Sequence, residues 1–171
     1  MSRALLLNGT VGAGKTSVAA AVGDLLRERD VPHAVVDLDA LRQAWPAPAG
    51  DRFNMTILLS NLRSVSANVR AAGARSLVLA GVVETAAERD ALRRAVGVPL
   101  TVVRLTADLD LVRARLRARH HDDPDGLRWH LDRSGELADL LAASAVEDHV
   151  VDTTGASVPA VAARVPSLAG H

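Results

Sequence analysis

Residues 9–16 read Gly9-Thr10-Val11-Gly12-Ala13-Gly14-Lys15-Thr16, directly after the apolar run ALLLN at residues 4–8. The stretch contains the only lysine of a 171-residue chain that otherwise uses arginine for its strong cations. A position that keeps lysine against that habit calls for a compact ammonium rather than a planar fork. Gly9, Gly14, Lys15 and Thr16 meet every fixed position of G-x-x-x-x-G-K-[ST], the pattern of a phosphate-binding loop. Gly9, Gly12 and Gly14 allow the tight turn that aims successive N–H groups inward as an anion nest, with Ala13 and Ser17 in the same turn. The helix that follows adds unpaired amides and the positive end of its dipole. Lys15 is expected to reach the β- and γ-phosphates of ATP, and the Thr16 hydroxyl to hold Mg2+. A glycine-rich turn without a ligand is the alternative; the position between an apolar strand and an amphipathic helix argues against it.

Bulk properties exclude several classes. Twenty basic and twenty acidic side chains cancel, so no global field attracts nucleic acid or an anionic membrane. Trp45, Phe53 and Trp129 are the only aromatic residues, too few for the stacking platforms of single-strand binders. The core must be built from Ala, Val and Leu. With no cysteine, a disulfide framework is impossible, which fits a reducing compartment. The opening ALLL is too short for a signal-peptide core, and no apolar run approaches the roughly 20 residues that span a bilayer. A single domain over residues 1–171 in the cytoplasm is the expectation, with the oligomeric state open.

Short apolar runs alternate with helical spacing along the chain. Strands are predicted over 4–7, 33–36, 76–83, 100–105 and 149–151. Helices are predicted over 16–29, 55–72, 84–96, 109–119, 127–145 and 158–165, with 46–52 as a loop. Strands alternating with helices predict an α/β fold, a parallel five-stranded sheet flanked by helices.

Phosphate binding alone does not separate switches, motors and kinases. No Asn-Lys-x-Asp guanine-reading sequence exists here, because no second lysine is present. The strand over 76–83 lacks a terminal Asp; the nearest acid is Glu84. The strand over 33–36 instead runs into Asp37-Leu38-Asp39. Together with GTVGAGKT, the stretch VVDLDALR at 35–42 resembles the small P-loop kinases related to gluconate kinase, adenylylsulfate kinase and chloramphenicol phosphotransferase. Those families carry an acidic D-x-D-like segment at this place. LVRARLRARHHDD at 111–123 resembles their lid entry, with Arg115 and Arg119 in an R-x-x-x-R arrangement. VVDTTG at 150–155 is similar to their last strand and the loop against adenine, which assigns Thr154 and Gly155 to the nucleotide. The resemblance implies a three-layer P-loop kinase fold with a lid over about 115–137. It also implies transfer of the γ-phosphoryl group of ATP to a hydroxyl of a small molecule, with Mg2+. Leu38 departs from the glycine usual in gluconate and adenylylsulfate kinases, and residues 43–72 match no acceptor-binding signature.

Asp39 is assigned to the acceptor hydroxyl, whose proton it can accept, and Asp37 to the Mg2+ shell through water. Two residues apart, they diverge at a strand-to-helix turn. Capping of ALRQAW by Asp39 is the competing role. Arg42 either meets an anionic acceptor or sits in solvent. On a helix only Arg115 and Arg119 share one face, while Arg113 and Arg117 share another. They form a lid over the phosphates, hinged on the polar HHDDPDG segment at 120–126, or merely a solvated helix end. The His120–Asp123 cluster lacks the separated ligands of a closed zinc site and reads as a hydrated lid loop. Asn61, Ser64 and Asn68 form a polar stripe, either beside the acceptor or on an ordinary exposed face. An ATP-binding regulatory protein or degenerate kinase without turnover stays open as the second function, because of the carboxylate missing after the third strand.

Overall fold

Central strands that are buried along nearly their whole length need cover on both faces, and the chain supplies it. The computed structural model describes residues 2–51, 53–119 and 121–168, with Arg119 and residues 166–168 described by backbone alone. Among them, strands β1 (Arg3–Asn8), β2 (His33–Asp37), β3 (Ser76–Ala80), β4 (Leu100–Thr106) and β5 (His149–Asp152) form one sheet. All are parallel, in the order β2-β3-β1-β4-β5. The helices are α1 (Lys15–Glu28), α2 (Met55–Ala71), α3 (Ala86–Val96), α4 (Leu109–Arg119), α5 (Pro124–Ser144) and α6 (Val158–Leu168). A 3-10 turn at Ala40–Arg42 follows β2.

Alternation along β1 divides the core into two layers. Ala4 and Leu6, with Leu77, Leu79 and Val102, pack against Leu58 and Leu62 of α2 and Leu92 and Val96 of α3. Leu5 and Leu7, with Val78, Val103 and Leu105, pack against Val18, Val22 and Leu26 of α1 and Val161 of α6. Each fully buried leucine contributes about 2 kcal/mol, so the two layers hold the sheet between them. The three-layer, five-stranded parallel architecture expected from the sequence is the one formed.

Two boundaries differ from expectation, each for a local reason. β3 ends at Ala80 rather than continuing to 83, because the chain leaves the sheet at Gly81. There the Gly81 N–H donates to the Leu7 carbonyl at 3.2 Å, and a Cβ on Gly81 would stand 2.7 Å from Leu38. α5 starts at Pro124 rather than 127, with Asp123 as its cap accepting from the Gly126 N–H at 3.0 Å. Proline at the first helical position and aspartate before it begin helices rather than break them. The expected flexible connector over 120–126 is therefore corrected: Pro124, Asp125 and Gly126 are the first turn of α5.

The connection leaving β1 runs toward β2, whereas that leaving β4 runs toward β5 on the other side. Between such strands a crevice opens at their carboxyl ends. Asn8, fully buried, closes the floor of that crevice. Its Nδ2 donates to the Val83 carbonyl at 2.9 Å, and its Oδ1 accepts from Gly9 N at 2.8 Å and Val83 N at 3.2 Å. Asn8→Ala would strand these buried backbone groups, at about 3 kcal/mol on the usual scale for orphaned partners. The urea midpoint is expected to fall accordingly with an unchanged slope.

Candidate active site

The loop over residues 9–14 is shaped by what surrounds it. Gly9 has φ +142°, and a Cβ there would lie 2.5 Å from the Leu105 carbonyl, so β4 leaves room for glycine alone. A Cβ on Gly12 would lie 3.1 Å from Val112 and 3.3 Å from Leu116, because α4 packs directly on the loop. Thr10 is buried and its hydroxyl donates to the Ser134 carbonyl at 2.7 Å, which ties the loop to α5 as well. Gly14 caps α1 with φ 92° and no side-chain hydrogen bond, leaving the first amides of the helix to an anion. Lys15 Nζ donates to the Gly9 and Thr10 carbonyls, both at 2.9 Å, which holds the ammonium over the mouth of the nest. Ala13 is buried beneath it, and Ser17 lies in the first turn of α1 facing the same cleft.

Asp37 and Asp39 diverge as their turn predicts. The Thr16 hydroxyl donates to Asp37 Oδ2 at 3.1 Å, and Asp37 Oδ1 accepts from Asp39 N at 2.9 Å. Asp39 turns the other way and meets Arg42 Nε at 3.3 Å. Asp39 precedes the 3-10 turn, but its side chain makes no capping hydrogen bond. Asp39 lines the cleft, and its carboxylate pairs with Arg42 of the same turn.

The cleft has a volume of about 930 Å³ and extends well beyond the phosphate loop. Its far wall comes from Arg42 and Asp51 after β2, Phe53 before α2, Glu84 and Glu88 after β3, and Trp129, His130 and Arg133 on α5. Arg133 pairs with Glu84 and with Glu136 at 3.1 Å, and its guanidinium carbon lies 6.0 Å from the Phe53 ring centroid. Burial lowers the proton affinity of Arg133, but the Glu136 hydrogen bond and the Glu84 charge outweigh it and hold the group above its ordinary pKa. Asp51 accepts from Thr56 N at 2.8 Å and Met55 N at 2.7 Å, which lowers its pKa and caps α2. That support for α2 is present above the ordinary carboxylate pKa and is lost as pH falls through the lowered value.

Arg115 is exposed, lines the cleft and has its NH1 3.5 Å from the Gly12 carbonyl. The side chain of Arg119 and all of His120 lie outside the described residues. Thr154 is exposed, with its N–H on Asp152 Oδ1 at 2.9 Å and its hydroxyl accepting from Asp108 N at 3.0 Å. That first hydrogen bond lowers the Asp152 pKa. Thr154 and Gly155 stand in the loop after β5, whose neighbours Thr153 and Ala156 line the cleft. The stripe of Asn61, Ser64 and Asn68 is not part of the cleft lining: Asn61 donates to the Leu41 carbonyl at 2.8 Å and Ser64 to Ser60 at 3.2 Å. Among the described residues no group of three or more His, Cys, Asp or Glu side chains is arranged to hold a metal ion. Sequence reasoning gives no site role to Asn8, Glu84, Trp129 or Arg133. Trp129, Arg133, Leu137 and Leu141 recur at i, i+4, a helical face that carries the signal for the first two of these.

A parallel α/β sheet with a glycine-rich phosphate loop at its switch point defines a P-loop protein of kinase type. The sequence matches the adenylylsulphate kinase family over residues 1–149, and the chain belongs to that family. Its fold is that of the Deinococcus radiodurans tunicamycin resistance protein, at 22% identity and TM-score 0.67, covering 99% of this chain and 96% of that one. The Mycobacterium tuberculosis adenylylsulphate kinase, solved with AMPPNP and APS, aligns at 23% identity and TM-score 0.60, covering 99% and 98%. Shikimate kinase from Acinetobacter baumannii, solved with shikimate, aligns at 18% identity and TM-score 0.64, covering 98% and 92%. No curated protein matches the sequence.

Lys15→Ala is expected to weaken ATP binding about 100-fold, the scale for removing a charge-assisted hydrogen bond from a partly desolvated site. Lys15→Arg is expected to fail as well, since a planar fork does not fit between two carbonyls. Titration calorimetry reads both, and unchanged ATP affinity in Lys15→Ala overturns the assignment.

Proposed function

We propose that the protein transfers the γ-phosphoryl group of ATP to a hydroxyl of a small molecule. The observation that carries this reading is continuity: one cleft joins the phosphate loop to a second wall, with Asp39 on its lining between them. A phosphatase-like or switch function needs no such second chamber. Membership of a kinase family supports the same reading. No helix among the described residues is long and apolar enough to cross a membrane, which suits a small-molecule kinase of the cytoplasm.

The residues present fit Mg2+. Thr16 Oγ1 and Asp37 Oδ2 are hard oxygen donors 3.1 Å apart beside the uncapped start of α1. Mg2+ retains waters and shares its shell with phosphates rather than needing an all-protein cage. Thr16 would hold it directly and Asp37 through water; when bound, it neutralises charge on the phosphates. The loop amides and Lys15 hold the β- and γ-phosphates, and Thr154 and Gly155 border the base. Asp39 orients the acceptor hydroxyl. As its oxygen bonds to the γ-phosphorus, the bond from phosphorus to the β,γ-bridging oxygen breaks and ADP leaves. The hydroxyl proton passes to the Asp39 carboxylate. Arg115 and Arg119 stabilise charge on the phosphoryl group in flight.

A nucleotide-binding protein without turnover is the second reading, favoured by the pairing of Glu84, the acid nearest the end of β3, with Arg133. Acceptor-dependent release of ADP separates the two. Asp39→Asn is expected to lower turnover about 100-fold with ATP affinity and melting temperature unchanged. A less stable variant with full specific activity would make Asp39 structural. Arg115→Ala and Arg119→Ala should lower turnover much more than ATP affinity, because their contacts form mainly in the closed complex. Arg117→Ala is the control, and equal small effects at all three would reduce the run to a solvated helix end.

A further inference from the structure

Resting on the phosphotransferase reading, we propose that the acceptor carries no acidic group and is a neutral or amine-bearing polyol or sugar. Away from the phosphate loop, the cleft wall sets Asp39, Asp51, Glu84 and Glu88 against Arg42 and Arg133. Both guanidinium groups already have carboxylate partners. Arg42, with 18% of its side chain exposed, meets Asp39 at 3.3 Å, and its charge also acts on Asp51. Arg133, 15% exposed, is held between Glu84 and Glu136. An entering sulfate or carboxylate would have to break one of these pairs or face a surplus of carboxylates, and like-charge juxtaposition opposes binding.

Hydroxyl and ammonium groups meet the opposite situation. The carboxylates of Glu84, Glu88 and Asp39 are acceptors on the lining, and an amine adds a favourable charge to them. Trp129, 47% exposed, gives the wall an aromatic surface, whereas the Phe53 ring already has the Arg133 guanidinium near it. Such a surface packs against the C–H side of a ring and attracts a neighbouring cation.

The charge of the wall is testable without any acceptor. Trp45 is 94% exposed, so Trp45→Phe leaves the core untouched and makes Trp129 the sole tryptophan. Quenching of Trp129 by caesium and by iodide is compared at pH 8, where an ordinary imidazole is neutral, and at about 0.15 M ionic strength. Normalised to free tryptophan amide, caesium is expected to quench about threefold more strongly. The preference should shrink in a Glu84→Gln/Glu88→Gln variant that melts as the parent does. Equal quenching, or stronger quenching by iodide, overturns the proposal. In a second arm, ADP release at saturating Mg2+ and ATP is compared within glucose, glucosamine and gluconate, and between adenosine and adenylyl sulfate. The neutral or amine-bearing member is expected to show a KM about tenfold or more below its anionic partner, a difference of about 1.4 kcal/mol. Turnover confined to gluconate or adenylyl sulfate also overturns the proposal. A caesium preference with no ADP release from any compound instead supports the charge of the wall and counts against the phosphotransferase reading.

Discussion

The carboxyl end of β1 is confined on every side, and the geometry of the site follows from that confinement. Gly9 passes so close to the Leu105 carbonyl that a single added carbon does not fit. One residue earlier, Asn8 reaches across to hold both the N–H and the carbonyl of Val83. α4 presses Val112 and Leu116 onto Gly12, and α5 receives the Thr10 hydroxyl. The loop is thus fixed from four directions before any phosphate arrives. A nest whose amides are already aimed inward loses little conformational freedom on binding, so more of its interaction energy appears as affinity. Lys15 belongs to the same device, because the two carbonyls it bridges are those of the confined segment.

Beyond the loop, the site is organised by pairs of opposite charge rather than by packing. Asp39 with Arg42 braces the turn after β2, and Glu84 with Arg133 joins segments that the sheet alone would leave separate. Half-buried arginines need such partners, since an unanswered charge out of water is costly. The arrangement leaves the wall acidic while keeping each guanidinium in place. Asp39 thus pairs with Arg42, while Asp37 accepts from the Thr16 hydroxyl and the Asp39 N–H.

The sheet and the glycine-rich turn after β1 are legible in the sequence because both are written locally. Apolar runs such as 4–7 and 100–105 reveal strands covered on both faces, and the spacing from Gly9 to Thr16 is contiguous. The divergence of Asp37 and Asp39 follows from the turn between strand and helix. The cleft lining away from the glycine-rich turn is not legible, because Arg42, Glu84 and Arg133 come from distant segments joined only by folding. The hydrogen bond from Thr10 to Ser134 spans 124 residues and leaves no periodic trace. At 124–126 the sequence misleads for a different reason. Proline and glycine read as breakers there, while the aspartate before them makes the same residues a helix start.

This division between contiguous and dispersed residues bears on how the two halves of the cleft can change. The glycine-rich half of the cleft depends on one uninterrupted segment with close neighbours: a Cβ on Gly9 would meet the Leu105 main chain, and one on Gly12 the Val112 and Leu116 side chains. The rest of the cleft is lined by side chains at 42, 53, 84, 129 and 133, carried by different elements, with Glu84 paired to Arg133 and the Arg133 guanidinium near the Phe53 ring. A change there alters charge or shape without moving the sheet, provided the ion pairs are replaced together. The family relationship over residues 1–149 therefore speaks strongly for the phosphate site and weakly for the acceptor. At 18–23% identity, the solved kinases share the fold of this chain, and that likeness speaks for its architecture alone.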